Sequence, residues 1–262
     1  MTALPARKIS RFVRQVAQIY SAPPGEFPEL TYRRLQQEAQ AMVRAGGMTA
    51  LDGHVLAAAL APVALDLAAF DRHIAAARAL SGDGRDAWVN EALFAVYFGE
   101  PARSARIVVE HLDEVRGDID MCRLVHDLSL WCCLVDTAMM LAEVLGRARK
   151  ADGLPEFPCR DLSSRLAERS LGEFDLVERF SACARVGVKS TGRPVRGYRI
   201  SGNRDDGFAY ELLFDASLEA VVEAGVAMAE AVTGAFPDDL SDIVTFSAAR
   251  FTGDDADVGR AG

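Results

Sequence analysis

Three short segments recur along the chain at a spacing of 33 residues: IAAARA at 74–79, IVVEHL at 107–112 and MLAEVL at 140–145. The first, second, third and sixth positions of each segment are apolar in all three copies. These offsets cluster on one side of a helix that has about 3.6 residues per turn. A period in the low thirties is typical of stacked helix-turn-helix units, because one helix pair cannot bury its apolar face alone. The spacing therefore predicts stacked helices over residues 67–148.

Small residues and a helix-breaking turn lie within this stretch at Ala92, Gly99 and Ala105. They are near the positions at which tetratricopeptide arrays keep small residues and the turn between paired helices. The stretch from Leu65 to Ala148 resembles that family. The resemblance implies a helical solenoid that makes protein contacts. We therefore expect a protein or peptide partner held on the stacked helices.

Length, composition and net charge limit the classes of protein to which the chain could belong. The chain has 262 residues, of which 50% are apolar, and is long enough for one large domain or two smaller ones. No uninterrupted apolar run approaches the roughly 20 residues that span a bilayer, so we expect no membrane partner. The net charge of −9 argues against general nucleic-acid binding but says nothing about a local basic patch.

Two features bear on the compartment. Five cysteines, at positions 122, 132, 133, 159 and 183, have neither the spacing of a disulfide framework nor that of a zinc ribbon. They indicate reduced thiols and a cytoplasmic protein. Near the N-terminus, four basic residues flank an apolar stripe, namely Arg7, Lys8, Arg11 and Arg14. This pattern is typical both of amphipathic helices that dock on their own domain and of transit peptides. The sequence favours a docking helix.

A change in composition near Lys150 suggests two domains. Glycine and proline mark residues 151–160 as a linker. We expect an α-helical repeat domain over residues 1–150, a small α+β domain over 160–251 and a flexible tail over 252–262.

The expected α+β domain begins with helices at 162–171 and 173–184, after which the apolar period shifts from 3.6 towards 2. That shift predicts strands near 186–188, 195–201, 208–214 and 243–251. Ser217 is expected to cap a helix before the last strand. The residues of this helix expected to face inward are Leu218, Val221, Val222, Gly225, Met228, Ala229 and Val232. The fold class is therefore mainly α, with a helical repeat followed by a βββαβ module.

The strongest local anomaly is a run of seven basic residues within 26 positions of this acidic protein, with no acidic residue among them. They are Arg179, Arg185, Lys189, Arg193, Arg196, Arg199 and Arg204, and Tyr198 directly precedes Arg199. Two helices followed by a basic hairpin is the order of a winged-helix DNA reader, which would cover residues 162–204. Tyr198 could then stack on a base. The alternative is a solvated face, or a patch that docks the acidic helix of Glu219 and Glu223.

Other candidate sites are weaker. The segment Asp238–Asp242 (DDLSD) matches the aspartate-rich magnesium motif of prenyl-transferring enzymes, but it precedes a strand, which favours an acidic loop. His111 and His126 lie beside carboxylates but lack a second set of ligands, so we expect both on the surface. Cys183 has basic neighbours that could lower its thiol pKa. The sequence contains no Walker loop, GxGxxG or GxSxG.

These patterns favour a non-enzymatic interaction protein without a cofactor or metal. Its helical repeat would hold a protein or peptide, and the basic hairpin would add a second contact. The alternative is a nucleic-acid-binding regulator in which Arg185, Lys189, Arg193, Arg196 and Arg199 contact phosphates.

Overall fold

The computed structural model describes residues 15–81, 84–148, 159–203, 207–236 and 240–252. By its internal contacts the chain divides into two compact units, Met1–Phe94 and Ala95–Gly262. The division that we expect from the sequence, at residues 151–160, differs from this one. Residues 149–158 lie outside the described residues, and the helices on either side of them pack together within the second unit.

The first unit is helical throughout its described part. Residues 15–20 form α1, and the four basic residues of the docking helix predicted near the N-terminus, Arg7 to Arg14, lie outside the described residues. The elements that follow are α2 (Glu29–Ala45), α3 (Gly47–Leu60), a 3-10 turn (Ala61–Ala64), α4 (Leu67–Ser81) and α5 (Arg85–Ala95).

Two glycines allow α2 and α3 to follow each other closely. Gly46 and Gly47 both have positive φ angles, +74° and +59°, which L side chains rarely adopt. Further along α3, a Cβ on Gly53 would lie 2.7 Å from the backbone nitrogen of Val43, so the helices touch without an intervening side chain. The core of this unit includes fully buried Leu35 and Phe70.

The second unit contains a short 3-10 turn, seven helices and three strands among the described residues. They are the turn Val96–Phe98, α6 (Pro101–Glu110), α7 (Leu112–Val115), α8 (Ile119–Trp131), α9 (Val135–Arg147), α10 (Cys159–Glu168), α11 (Glu173–Thr191), β1 (Val195–Asn203), β2 (Gly207–Phe214), α12 (Leu218–Ala235) and β3 (Val244–Arg250). The chain is thus mainly helical with a small mixed sheet near its C-terminus, as the sequence predicts at that level.

The sheet has the order β1-β2-β3. Strands β1 and β2 form an antiparallel hairpin, and β2 pairs in parallel with β3. Helix α12 is the crossover that a parallel connection requires. Phe180 of α11 packs on the sheet, with ring centroids 5.6 Å from Tyr210 and 5.5 Å from Phe246. The sheet core is therefore covered by α11, and α12 contacts both α11 and β3.

The strand predicted near 186–188 is wrong, because α11 continues to Thr191. Its buried positions Phe180, Ala184 and Gly187 follow one helical stripe, and a Cβ on Gly187 would lie 2.8 Å from the ring of Phe214. The two β-branched valines beside Gly187 suggested a strand, but packing on the sheet overrides that local preference. The module is consequently ββαβ instead of βββαβ.

No repeat is identified among the residues that the structure describes. Residues that share a register in the 33-residue spacing differ in burial: Val108 is buried, whereas Ala75 is exposed. Likewise Leu145 is buried, Leu112 is half-buried and Ala79 is exposed. Half of this chain is apolar, so apolar residues recur at a fixed spacing without marking equivalent core positions.

Among the described residues, one segment, Gly47–Ala64, has the length and apolar composition of a helix that could cross a membrane. Half of this 18-residue segment is buried inside the structure. It comprises α3 and the 3-10 turn of the first unit. A core helix of this composition meets the same criteria, so the segment is weak evidence for a membrane contact.

Candidate functional site

The residues of the predicted basic site are distributed over three elements of the second unit. Arg179, Arg185 and Lys189 lie on α11, and Arg193 lies in the turn that follows it. The predicted residues Arg196, Tyr198 and Arg199 lie on β1, and Arg204 lies outside the described residues. The basic hairpin predicted from strands near 186–188 and 195–201 is wrong, because its first strand is the end of α11, and four of the seven basic residues precede β1.

Arg179 belongs to the core. Arg179 is 3% exposed, and its guanidinium lies 4.6 Å from the ring centroid of Phe236 at the end of α12. A cation over an aromatic face is stabilised by the ring quadrupole, most strongly where water is excluded. Arg179 therefore joins α11 to the end of α12 and is not on the surface.

Arg196 is also held by its own unit. It is the extra residue of a β-bulge, where the register shifts between Val195 and Gly197. Its side chain is 9% exposed, with Nη1 4.0 Å from Asp215 Oδ2 and the guanidinium 4.9 Å from the ring centroid of Phe251. A bulge re-aims the side chain that it carries. The bulge therefore places the Arg196 side chain against Phe251 and near Asp215.

Two further arginines are exposed but paired. Arg199 Nη1 donates to Glu211 Oε2 at 2.8 Å across the β1–β2 ladder. Arg185 Nη1 lies 3.4 Å from Glu100 Oε2. The carboxylates that compensate the basic segment are thus Glu100, Glu211 and Asp215, and not the glutamates of α12. Lys189 and Arg193 are also exposed, and neither forms an ion pair with another described residue.

Tyr198 packs against protein rings. It lies edge-on to Trp131 with ring centroids 5.1 Å apart, and Trp131 in turn contacts Tyr97 at 5.4 Å. Burial raises the pKa of the Tyr198 hydroxyl well above its usual value, and burial raises that of Tyr97 to about 12. Both hydroxyls are therefore neutral at physiological pH. The ring of Tyr198 already has an aromatic neighbour where base stacking was predicted.

Helix α12 has an exposed apolar face that the sequence did not predict. Leu218, Val222 and Val226 are 63%, 57% and 57% exposed, and their i, i+4, i+8 spacing aligns them in one stripe. The inward orientation predicted for Leu218, Val222 and Ala229 is therefore wrong, whereas that predicted for Val221 and Met228 is confirmed. The buried stripe of α12 consists of Val221, Ala224 and Met228.

Glutamates flank this exposed stripe. Glu219 and Glu223 follow Leu218 and Val222 by one position each, and Glu230 lies one turn beyond Val226. Helix α12 contains no lysine, arginine or histidine. Within the described residues, these glutamates form no recorded ion pair. The face is thus an apolar stripe with uncompensated negative charge beside it.

Local sequence fixes where this helix begins. The Ser217 side chain accepts a hydrogen bond from the Ala220 N–H at 3.2 Å, which confirms the predicted N-cap. The face itself was missed because α12 carries more apolar residues than one buried stripe requires. The surplus is visible in the sequence, but the side that packs on α11 and β3 is not.

The histidines and the cysteine considered as candidate sites have surroundings that differ from those of a reactive or metal-binding group. His126 is 4% exposed, so its predicted surface location is wrong, whereas half-buried His111 lies 3.0 Å from Glu114 Oε1. Burial raises the pKa of the Cys183 thiol to about 12, opposite to the lowered value considered from its basic neighbours. Among the described residues, no group of three or more histidine, cysteine or acidic side chains could hold a metal ion.

The aspartate-rich segment is described only in part. Asp238 and Asp239 lie outside the described residues. Asp242 accepts a hydrogen bond from Arg169 Nη2 at 2.7 Å, and its backbone oxygen accepts one from Arg165 Nη2 at 2.6 Å. The described aspartate therefore connects α10 to the start of β3.

Comparison of the chain with protein-family models, with curated proteins and with solved structures found no match.

Proposed function

We propose that this chain is a non-enzymatic interaction protein whose α12 face binds a basic amphipathic helix of a partner protein. The observation that carries the proposal is the exposed stripe of Leu218, Val222 and Val226 beside Glu219 and Glu223. An apolar stripe at helical spacing fits the apolar face of another helix, since side chains of one helix pack between those of the other.

The flanking charge specifies the partner. Three glutamates without a cation on the same helix favour lysine or arginine on the partner, and they disfavour an acidic helix. Charge complementarity mainly sets the association rate and the choice of partner, whereas the apolar stripe supplies most of the affinity. A basic amphipathic helix meets both requirements.

The proposal moves the main contact away from the predicted helical repeat and basic hairpin. No helical repeat that would present a groove is identified in the described part of the chain. In the basic segment, Arg179 and Arg196 are buried against aromatic rings, and Arg185 and Arg199 are paired with glutamates. The nucleic-acid alternative therefore has fewer exposed cations than its seven residues suggested.

A designed peptide tests the proposal with the full-length chain. The probe is a synthetic amphipathic helix with leucines on one face and lysines on both flanks, and its matched control has glutamates in place of the lysines. We expect fluorescence anisotropy to detect binding of the lysine peptide, weaker at higher salt because screening shortens the reach of the charges. The glutamate peptide should bind much more weakly.

Two substitutions locate the contact. Val222→Asp should abolish binding without lowering the melting temperature, because Val222 is more than half exposed in the free protein. Val109→Asp, at another exposed valine on α6, is the matched control and should bind as the unmodified chain does. Equal affinity of the two peptides, or equal affinity of the two variants, would refute the proposed surface.

A further inference from the structure

The first unit contains a cavity of about 370 Å³ between α2, α3, the 3-10 turn and α4. Its apolar floor includes the buried residues Ala39, Leu60 and Ala61. The volume falls within the roughly 300–1,000 Å³ that is usual for small-molecule sites. The cavity is distinct from the α12 face and does not depend on the function proposed for it.

Small side chains create this space. Five alanines line the cavity, contributed by α2, α3, the 3-10 turn and α4; they are Ala39, Ala57, Ala61, Ala64 and Ala69. Three helices that converge on alanines leave a gap that leucines at the same positions would fill. The opening is therefore a consequence of side-chain size at particular positions, which makes it testable.

Polar groups surround the apolar floor. Tyr32 Oη accepts a hydrogen bond from Gln36 Nε2 at 2.8 Å, which leaves the phenolic proton available as a donor. Gln40 lines the same face of α2 one turn further on. Across the cavity, His73 Nδ1 lies 2.9 Å from His54 Nδ1, so one of these nitrogens donates to the other. A ligand would thus meet neutral donors and acceptors on two sides.

The charges at the cavity balance. Arg44 and Asp66 line it with opposite charge. Asp66 Oδ1 already accepts a hydrogen bond from the Ala69 N–H at 2.8 Å at the start of α4. Burial lowers the pKa of His73, and the nearby His54 and Arg72 lower it further, against a smaller opposing effect of Asp66. At neutral pH the lining therefore has no net charge, which disfavours an ionic ligand.

We infer that this cavity is a binding site for a small uncharged molecule with an apolar ring and an amide-like group that both donates and accepts hydrogen bonds. The ring would lie on the alanine floor of Ala39 and Ala61. The amide would pair with the neutral groups of Tyr32, Gln36 and His73. A charged analogue of the same shape would lose more hydration than the balanced lining returns.

Three probes of one shape test the inference on the full-length chain: benzamide, benzoate and benzylammonium. Ligand-observed NMR titration should show saturable binding of benzamide with a roughly millimolar Kd, as expected for a ligand of so few atoms. Benzoate and benzylammonium should each bind at least several-fold more weakly. Absence of saturable benzamide binding, or equal affinity for the three probes, would overturn the inference.

Matched leucine substitutions show whether binding occurs in the cavity. Ala57→Leu should reduce benzamide affinity at least tenfold by filling the space, with a thermal melt to verify that the variant is folded. Ala75→Leu adds the same atoms at an exposed position of α4 and should leave the affinity unchanged. If Ala57→Leu does not fold, Gln36→Leu replaces it, since it removes a polar partner at an exposed helical position. Unchanged binding by a folded cavity variant contradicts the inference.

Discussion

Gly99 lies directly against the backbone of Ala184. A Cβ added to Gly99 would be 2.7 Å from the carbonyl oxygen of Ala184, and the φ angle of Gly99 is +76°. The residue ends the 3-10 turn Val96–Phe98 in the left-handed conformation and precedes Pro101 at the start of α6. One glycine therefore both reverses the chain and lets this turn approach α11 without a side chain between them.

Gly99→Ala should destabilise the protein by roughly 2–4 kcal/mol, because alanine adds left-handed strain and a clash with backbone that cannot rotate away. Gly192→Ala is the matched control. Gly192 has a φ of +60° but nothing within 4 Å of its Cβ position, so strain alone should cost about 1 kcal/mol. Urea unfolding of both variants measures the difference, and equal losses would show that the contact with Ala184 is unimportant.

Glu173 connects two helices through hydrogen bonds to backbone. Its Oε2 accepts from the N–H groups of Asp136 and Thr137 at 2.9 and 3.0 Å, and its Oε1 accepts from Thr137 Oγ1 at 2.9 Å. Glu173→Ala should cost about 2 kcal/mol by leaving the first turn of α9 without these acceptors.

Glu173→Gln provides the control for charge. Burial raises the pKa of Glu173 against the opposing effect of its hydrogen bonds, so the charged form gains little from its surroundings. Glutamine keeps a carbonyl oxygen and should lie within about 1 kcal/mol of the unmodified chain. A glutamine variant as unstable as the alanine variant would instead assign the stabilisation to the charge.

Charge reversal should destabilise the protein much more at Arg196 than at Arg193. Arg196→Glu would bring a carboxylate towards Asp215 and remove the cation above Phe251, at a cost of roughly 3 kcal/mol or more. Arg193→Glu changes an exposed turn residue and should alter stability by no more than about 0.5 kcal/mol. Thermal melts compare the two variants. Similar melting temperatures would mean that Arg196 is more accessible than its packing indicates.

The His54–His73 pair should make the first unit less stable in mild acid. Burial lowers the pKa of both imidazoles, so between the folded pKa and the unfolded value of about 6.5 the unfolded chain binds more protons. Their stabilising contribution is therefore present above about pH 6.5 and is lost as pH falls through the folded pKa values. Proton linkage limits the slope to about 1.4 kcal/mol per pH unit for each proton, and the partial exposure of both rings should keep it below that limit.

Amide exchange in α3 and α4 between about pH 7 and pH 5 measures this dependence, with known intrinsic exchange rates subtracted. The double variant His54→Gln and His73→Gln should show a shallower loss of protection than the unmodified chain. An identical pH dependence in both proteins would remove the histidine pair as its cause.

Sequence patterns succeeded where a local signal ends or begins an element. Gly99 ends the turn before α6 where the sequence predicts a helix-breaking turn, and Ser217 caps α12 as predicted. These residues act through their own backbone conformation or through hydrogen bonds three positions away. Such signals are readable without knowledge of the fold.

The features that sequence patterns missed depend on distant packing. The helical state of residues 186–191 is set by contacts of Gly187 with Phe214 and Met228. The exposure of Val222 depends on which side of α12 contacts α11 and β3. The His54–His73 pair requires two helices to meet, and neither histidine has a local motif around it. The basic segment was visible, but the aromatic and acidic neighbours of Arg196 lie far along the chain.

The parallel pairing of β2 with β3 has a consequence for synthesis on the ribosome. β2 is the middle strand, and the residues that cover one of its edges, Val244–Arg250, are translated only after the whole of α12. Until then, a nascent chain that has already formed the β1–β2 hairpin presents an open edge that includes the large apolar residues Phe208 and Tyr210. Such an edge pairs readily with other extended chains. Truncation after α12 should therefore produce a chain that depends on chaperones to remain unaggregated.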